Sequence, residues 1–292
     1  MEKAASIPNL SFFPSLVLRS LAHLPLAALH RLGSVLGWAI YGMSPTYRRH
    51  LRENLAAARY GDARLRRQAI AAAGQLVMEV PALWFRPHEE VVALVKEVRG
   101  DDAVLAAQRA GKAVLFLTPH MGAFEVAAQY AASRMPITVL YRRPRVAWLE
   151  PLMRAGRERP NVRLVPADVR GVRELFKALE RREAVGFLPD QVPGAGEGEW
   201  SEFFGRPAYT MTLAAKLAAR DNVACFLAFA RRLPRGAGYS IVVQPFAPAR
   251  PGESATRRLN RALEELIALC PEQYLWGYNR YKLPAGAKRQ RS

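Results

Sequence analysis

Residues 113–125 read AVLFLTPHMGAFE, and this stretch decides how the rest of the chain is interpreted. Its first part is a short apolar run of β-compatible residues, which is typical of a buried strand. Pro119 disfavours helix at the residue before it, and Gly122 permits a tight approach to reacting groups. Ligand sites gather at the carboxyl ends of strands in open α/β sheets. His120 and Glu125 are therefore candidate catalytic residues.

The spacing of His120 and Glu125 limits where each can lie. On a regular helix, side chains five residues apart point about 140° away from each other. We therefore expect His120 at the strand-to-helix junction, with Glu125 in the first turns of the next helix and leaning back toward it. A carboxylate bonded to one imidazole nitrogen fixes the tautomer and leaves the other nitrogen free as a general base. The spacing alone is equally compatible with a structural junction histidine beside a surface glutamate.

Strand and helix patterns alternate along most of the chain. Strand-like runs include ITVLYRR, NVRLVP, EAVGFLPD, VACFLAFARR and YSIVVQPF, and helical runs such as RGVRELFKALERR lie between them. This alternation predicts an α/β layered fold, in which helices flank a central, largely buried β-sheet. We expect an N-terminal apolar anchor helix in residues 1–43, a catalytic domain in residues 44–284 and a basic disordered tail in residues 285–292.

The N-terminal segment is the most apolar part of the chain. Charged residues, histidines and a proline interrupt it, so no uninterrupted run reaches the roughly 20 residues that a bilayer crossing needs. The pattern resembles an interfacial membrane anchor, and an amphipathic core helix is the alternative. No small-residue cleavage site follows, so a cleaved signal peptide is not predicted. The basic SPTYRRHLRENL segment behind it favours the cytoplasmic side of a membrane.

The charge balance favours an anionic partner. The chain has 43 Lys and Arg against 25 Asp and Glu, which gives a net charge of +18. Nucleic acid, phospholipid headgroups, a phosphorylated substrate and an acidic protein would all be attracted. No long basic block, zinc-finger spacing or RNA-binding aromatic signature occurs, so nucleic acid is not a predicted partner. The two cysteines are far apart and form no CxxC pair, which favours a reducing compartment.

Several ordered motifs connect the chain to a known family. TPHMGAFE, YRRPRVAWLEPLMRAGRER, RGVRELFKALERREAVGFLPDQVPG, FFGRPA and PEQYLWGYNRYK follow one another in the sequence. Together they resemble the lipid A late acyltransferase family of the glycerolipid acyltransferase superfamily, over nearly the whole chain. The resemblance implies transfer of a fatty acyl group from a thioester of acyl carrier protein or coenzyme A. The implied acceptor is a hydroxyl of a phosphorylated, acylated glucosamine disaccharide. The implied location is the cytoplasmic face of the inner membrane, beside anionic lipids, with no metal and no cofactor.

The resemblance also implies roles for individual residues. His120 would act as the general base and Glu125 would orient it, so no serine or cysteine nucleophile is required. Arginine suits phosphate because its planar fork offers two parallel donors. The predicted substrate-binding residues are Arg143, which ranks first, and Arg157, Arg159, Arg170, Asp190 and Arg280.

Alternatives remain for some of these assignments. For Asp190 the alternative is a structural cap of the following loop, and for Trp276 it is a core residue. Tyr278 and Asn279 replace a histidine and an arginine that some relatives carry after the tryptophan. A related enzyme that acylates another glycolipid or glycerophospholipid would share the same motif. A non-enzymatic basic protein that binds membrane or nucleic acid is a more distant alternative.

Overall fold

The structure is a computed structural model that describes residues 12–144 and 146–286. Residues 1–11 of the expected anchor and residues 287–292 of the expected tail lie outside the described residues. The helices are α1 (Phe12–Ala22), α2 (Leu26–Met43), α3 (Pro45–Ala57), α4 (Ala63–Phe85), α5 (His88–Ala93), α6 (Asp101–Arg109), α7 (Phe124–Arg134), α8 (Leu149–Arg157), α9 (Val169–Glu180), α10 (Leu213–Ala218) and α11 (Ala255–Ala268).

The strands form one large sheet and one hairpin. They are β1 (Val95–Arg99), β2 (Ala113–Leu117), β3 (Ile137–Tyr141), β4 (Val162–Pro166), β5 (Ala184–Phe187), β6 (Gly198–Phe203), β7 (Arg206–Met211), β8 (Val223–Arg232) and β9 (Tyr239–Pro245). The sheet has the order β1-β9-β8-β2-β5-β3-β4, and its pairs are parallel except for β8 with β9. β6 and β7 pair separately as an antiparallel hairpin. The predicted α/β class is confirmed.

The apolar run of residues 113–117 lies at the centre of this sheet. β2 pairs with β8 on one side and β5 on the other, and all five of its residues are buried. Leu115 and Leu117 pack into one core cluster, which includes residues of α9 and α11. Val114 and Phe116 point to the opposite face and join a second cluster with residues of α6 and α7. Helices therefore cover both faces, which explains why β2 has no polar alternation.

The register of β2 with β5 determines which loops meet. Leu117 pairs with Phe187, and the Thr118 amide donates to the Phe187 carbonyl at 3.0 Å. Residues 118–120 and 188–190 therefore leave the same edge of the sheet side by side. This register places His120 beside Asp190, although 70 residues separate them in the sequence.

The N-terminal segment differs from the expected single anchor helix. A break at residues 23–25 divides it into α1 and α2, and one face of α2 packs on α4. Gly33, Gly37 and Gly74 allow the two backbones to touch, because a Cβ on Gly74 would lie 1.9 Å from the Gly33 carbonyl oxygen. Among the described residues, no helix is both long and apolar enough to cross a bilayer. The anchor-helix part of the fold prediction is therefore not supported.

Candidate active site

The side chain of His120 is fixed at the end of β2 by Asp190. Nδ1 of His120 lies 2.7 Å from Oδ1 of Asp190, and the His120 amide donates to Oδ2 at 3.0 Å. The Asp190 side chain is 3% exposed, whereas that of His120 is 20% exposed. The ring of Phe124 packs edge-on against the imidazole, with 5.2 Å between the ring centroids. One carboxylate thus holds both the backbone and the ring of His120.

These contacts determine which imidazole nitrogen carries the proton. Burial by itself would raise the pKa of Asp190, but the charge and the hydrogen bonds of His120 hold it below its usual value. The carboxylate is therefore ionised near neutral pH and accepts the proton of Nδ1. In the neutral form of the imidazole the lone pair is then on Nε2, and the side-chain amide nitrogen of Gln191 lies 3.2 Å from it. This is the tautomer that a general base acting through Nε2 needs.

Glu125 is bound by an arginine and not by His120. Nε of Arg157 donates to Oε1 and Oε2 of Glu125 at 3.0 and 2.9 Å, and Nη2 donates to Oε1. Glu125 lies in the first turn of α7, as its position five residues after His120 predicted. The expected contact from Glu125 to the imidazole is corrected, because Asp190 occupies Nδ1 and Arg157 occupies the Glu125 carboxylate.

Close helix packing positions Arg157. Gly156 lies against the ring of Trp84 at the end of α4, where an added Cβ would come within 2.4 Å of the indole. The Arg157 guanidinium lies over the same ring, 5.8 Å from its centroid. Burial by itself would lower the pKa of Arg157, but the Glu125 carboxylate raises it above its usual value. The ion pair is therefore held between α7 and α8, with the arginine charged.

His120, Glu125 and Arg157 share one cavity of about 280 Å³. Its other walls are mainly apolar and come from β3, β4, α7, α8 and the segment after β5. An adjoining cavity of about 70 Å³, called the inner cavity, lies between α6, α7 and the central strands β2, β5 and β8, and the cavity that contains His120 is called the outer cavity. Phe124, Ala128, Val139 and Phe187 line both cavities. The arrangement places an oriented imidazole beside two connected, mainly apolar cavities.

Residues 3–283 match the model of the bacterial lipid A biosynthesis acyltransferase family. The chain belongs to this family. A lipid A biosynthesis lauroyltransferase of Escherichia coli (strain K12) is 28% identical over 216 residues, which are 72% of this chain and 69% of the relative. A lipid A biosynthesis palmitoleoyltransferase of the same strain is 26% identical over 212 residues, 72% of this chain and 68% of the relative. The resemblance found in the sequence is thereby confirmed, and the protein is an acyltransferase.

Three of the predicted substrate-binding arginines of this acyltransferase lie away from the cavity. Arg159 donates to the carbonyls at the end of α4, where it acts as a C-terminal cap. Arg280 is 2% exposed, and its guanidinium donates to the Tyr209 carbonyl and to Thr210. Arg170 is exposed in the first turn of α9. The structure therefore gives Arg159 and Arg280 packing contacts and brings none of the three to His120.

Arg143 and Arg157, also predicted to bind substrate, lie near the cavity in different ways. Arg157 lines it but pairs with Glu125. Arg143 is exposed in the loop after β3, and its Nε lies 3.5 Å from the Glu150 carboxylate. The neighbouring Arg142, which the sequence analysis did not select, lines the cavity. The sequence feature that could have indicated Arg142 is its position next to Arg143 in YRRP, but adjacency does not show which of the two arginines lines the cavity.

Gln191 and Phe124 are further residues that the sequence analysis missed. Both touch the His120 imidazole, and both adjoin selected residues in LPDQ and GAFE. Neither residue type alone indicates a catalytic site. In the described ranges, no group of three or more metal-binding side chains lies close enough together to hold a metal ion.

Proposed function

We propose that this acyltransferase moves a fatty acyl group from a thioester, of acyl carrier protein or coenzyme A, to a hydroxyl of a phosphorylated, acylated glucosamine disaccharide. The observation that carries the proposal is the imidazole of His120, which lines the cavity, is held by Asp190 through Nδ1, and has the cavity residue Gln191 beside Nε2. The similarity to named lipid A lauroyl- and palmitoleoyltransferases supports this substrate class.

The proposed reaction is a direct acyl transfer. Nε2 of His120 takes the proton of the acceptor hydroxyl as its oxygen attacks the thioester carbonyl carbon. The new C–O bond forms, the C–S bond breaks, and the imidazolium returns its proton to the departing thiolate. Asp190 stabilises the imidazolium and keeps its orientation through both steps. No covalent acyl-enzyme and no cofactor enter this sequence.

The apolar cavities suit the fatty acyl chain. The outer cavity offers apolar walls from β3 and β4 beside the base, and the inner cavity continues between α6 and α7. Gly186 contributes no side chain to the inner wall, where a Cβ would lie 3.2 Å from Ile137 and 3.3 Å from Val139. The depth of this recess would set the preferred chain length.

The acceptor phosphate has a basic approach to the cavity. Arg142 lines the cavity, and Arg143 is exposed next to it, with the half-buried Glu150 carboxylate 3.5 Å from its Nε. Exposed arginines keep enough free donors to bind a phosphate in the bidentate manner. Arg157 has most of its donors occupied by Glu125 and Met153, so we assign it to positioning. Glu125 has the matching role, since it fixes the guanidinium beside the reacting groups.

We place the enzyme at the cytoplasmic face of the inner membrane, bound at the interface. Among the side chains that the structure describes, α1 and α2 expose seven large apolar ones, and α3, which follows directly, exposes Arg49 and Arg52. The exposed apolar residues are Leu16, Val17, Leu32, Val35, Trp38, Ile40 and Met43. An apolar face beside basic residues suits a surface of anionic lipid.

Purified protein should be incubated with acyl carrier protein thioesters and a tetra-acylated, phosphorylated disaccharide, and the products weighed by mass spectrometry. We expect one added acyl chain per acceptor, and none with His120→Ala. Lysophosphatidic acid in a parallel reaction tests the glycerophospholipid alternative. Acylation of lysophosphatidic acid with none of the disaccharide would refute the proposed acceptor.

Membrane binding is tested by vesicle flotation with phosphatidylglycerol. Val35→Asp together with Trp38→Asp should reduce binding, because both side chains belong to the exposed face of α2. Val169→Asp, a similarly exposed position on α9, is the matched control. Equal binding by both proteins would show that the α2 face does not contact lipid.

A further inference from the structure

The loop that carries His120 is held by backbone contacts to two distant segments. The Gly122 amide donates to the Gln273 carbonyl at 3.0 Å, and the Ala123 amide donates to the Ala230 carbonyl at 2.8 Å. The Leu275 amide donates to the His120 carbonyl at 3.0 Å. Gly122 has a φ of +58°, and a Cβ there would lie 2.1 Å from the Ala230 oxygen. The loop therefore follows the end of β8 closely.

One side chain completes this set of contacts. Nη2 of Arg232, the last residue of β8, donates to the Gly122 carbonyl at 2.7 Å. The Arg232 backbone is itself bound on both sides by the Gln273 side chain, at 2.9 and 3.1 Å. Gln273 also accepts the Gly122 amide through its own carbonyl. Arg232 and Gln273 thus bind the same residue of the loop from two directions.

Arg232 is in turn fixed by a fully buried carboxylate. Its Nε and Nη2 donate to Oε2 and Oε1 of Glu79 at 2.8 Å each, and the two side chains are 3% and 0% exposed. His30 of α2 and Tyr239 of β9 each contact Oε2 of Glu79 at 3.1 Å. Burial would raise the pKa of Glu79, but Arg232 and His30 lower it. The pair is therefore ionised inside the core.

Stability alone does not account for such a pair. Removing two charges from water is costly, and apolar side chains of similar volume often replace a buried ion pair without loss of stability. What apolar side chains cannot supply is the donor for the Gly122 carbonyl. Displacing reacting groups by about 1 Å can cost about 100-fold in rate, so a donor that fixes this loop has a direct effect on catalysis.

We propose that Arg232 is a positioning residue for acyl transfer: anchored by Glu79 of α4, it holds the Gly122 carbonyl and thereby sets the position of His120. The inference rests on the proposed role of His120 as the base. Arg232 lies outside the motif around His120, and its proposed role requires no contact with either substrate.

A matched pair of double variants tests this role. Glu79→Leu with Arg232→Met removes the ion pair and the donor to Gly122. Glu253→Leu with Arg261→Met is the control, because Arg261 pairs with Glu253 at 2.7 Å, both side chains are 7% exposed, and Arg261 also donates to a backbone carbonyl, that of Pro248. That pair joins α11 to the segment before it and has no contact with residues 120–123 among its hydrogen bonds.

Thermal melts and single-turnover transfer are measured on both proteins and on the wild type. We expect both double variants to fold. Only Glu79→Leu with Arg232→Met should lose transfer rate, by about 10- to 100-fold, with the KM values for thioester and acceptor little changed. A wild-type rate in this variant, or an equal loss in the control, would overturn the inference.

Arg232→Lys keeps the test decisive if the apolar double variant does not fold. Lysine preserves the charge opposite Glu79 but lacks the planar fork that reaches the carboxylate and the carbonyl together. We expect a folded protein whose rate is lowered at least fivefold with KM values retained, and a full rate would contradict the proposal. The wild type in the same assay separates the two conclusions, because its failure to transfer any acyl group would refute the proposed function itself.

Discussion

Replacing Asp190 with asparagine should abolish most of the acyl transfer while leaving the fold intact. The Asp190 carboxylate accepts two hydrogen bonds from His120, at 3.0 Å from the backbone amide and 2.7 Å from Nδ1. An asparagine has a single acceptor oxygen in its side chain. If that oxygen keeps the backbone amide, the NH₂ group faces Nδ1, and the imidazole must move its proton to Nε2. The base would then be protonated at the nitrogen that should accept the hydroxyl proton.

The size of the effect follows from the function that is lost. A positioned general base contributes about 10²- to 10⁴-fold. This corresponds to about 2.7 to 5.4 kcal/mol of transition-state stabilisation, since each tenfold change is 1.36 kcal/mol. We expect a loss of this size in the single-turnover rate, with KM for the thioester retained, because Asp190 is buried behind the histidine and does not line the cavity.

Asp168→Asn is the matched control for this substitution. Asp168 caps α9 by accepting the Gly171 amide at 2.9 Å, and asparagine caps helices equally well. Rates of the wild type, Asp168→Asn and Asp190→Asn are compared at pH 7.5, with thermal melts of all three. A rate for Asp190→Asn within threefold of the wild type would refute the assignment of Asp190 as the residue that fixes the tautomer.

Other substitutions test the remaining parts of the site. Arg142→Ala and Arg143→Ala should each raise KM for the phosphorylated acceptor while sparing thioester hydrolysis, and an equal loss of both activities would contradict a role in phosphate binding. Gly186→Ala should shift the preference toward shorter acyl chains, measured with a series of thioesters, because its Cβ narrows the inner recess; an unchanged preference would show that the chain lies elsewhere. Gly74→Val should lower the thermal midpoint by forcing α2 from α4, and circular dichroism that shows an unchanged midpoint would disprove this contact. The pKa of Asp190 is lowered in the folded state, so the ionised carboxylate stabilises the fold fully above the unfolded-state pKa of about 3.9. This stabilisation is lost as the pH falls through the folded-state pKa. Between pH 5 and pH 3 the free energy of urea unfolding should therefore fall more for the wild type than for Asp190→Asn, and equal falls would contradict the pKa shift.

The sequence predicted those parts of the fold that depend on residues close together in the chain. The apolar run of residues 113–117 predicted a buried strand because every side chain of a central strand packs against a covering layer. The end of that strand was also predicted from neighbouring residues, because Pro119 and His120 directly follow the apolar run. The position of Glu125 in the next helix was predicted on the condition that it met His120, and the helix position is correct although that contact does not form.

The partners of these residues could not be predicted in the same way. His120 could have bonded to Glu125 or Asp190, and only the register of β2 against β5 makes Asp190 the neighbour. Arg157 and Arg280 were selected because they match family motifs and arginine suits phosphate. Arg157 instead binds the Glu125 carboxylate, and Arg280 binds the Tyr209 carbonyl and the side-chain oxygens of Thr210 and Asn260, all far away in sequence. Residue type gives the chemistry of a side chain, whereas tertiary contacts decide what it binds.

The interrupted N-terminal run shows why a single apolar anchor helix is not found. Its hydrophobicity is real, but one face of α2 is used for packing on α4 through Gly33 and Gly37. Glycines spaced four residues apart are a helix-contact pattern that could have been read from the sequence. Counting apolar residues alone did not separate the face that packs inside from the face that is exposed.

The contacts around His120 also bear on when the enzyme can become active as it is made. The carbonyl of His120 and the amide of Gly122 bond to Leu275 and Gln273, about 150 residues further along the chain. Contacts between residues so far apart in the sequence form late, since the intervening chain must be ordered first. A nascent or prematurely terminated chain that ends before residue 273 can contain the whole motif and still lack a fixed base. Residues 273–275 thus supply backbone contacts that the motif around His120 cannot provide by itself, and a chain without them would hold His120 less firmly.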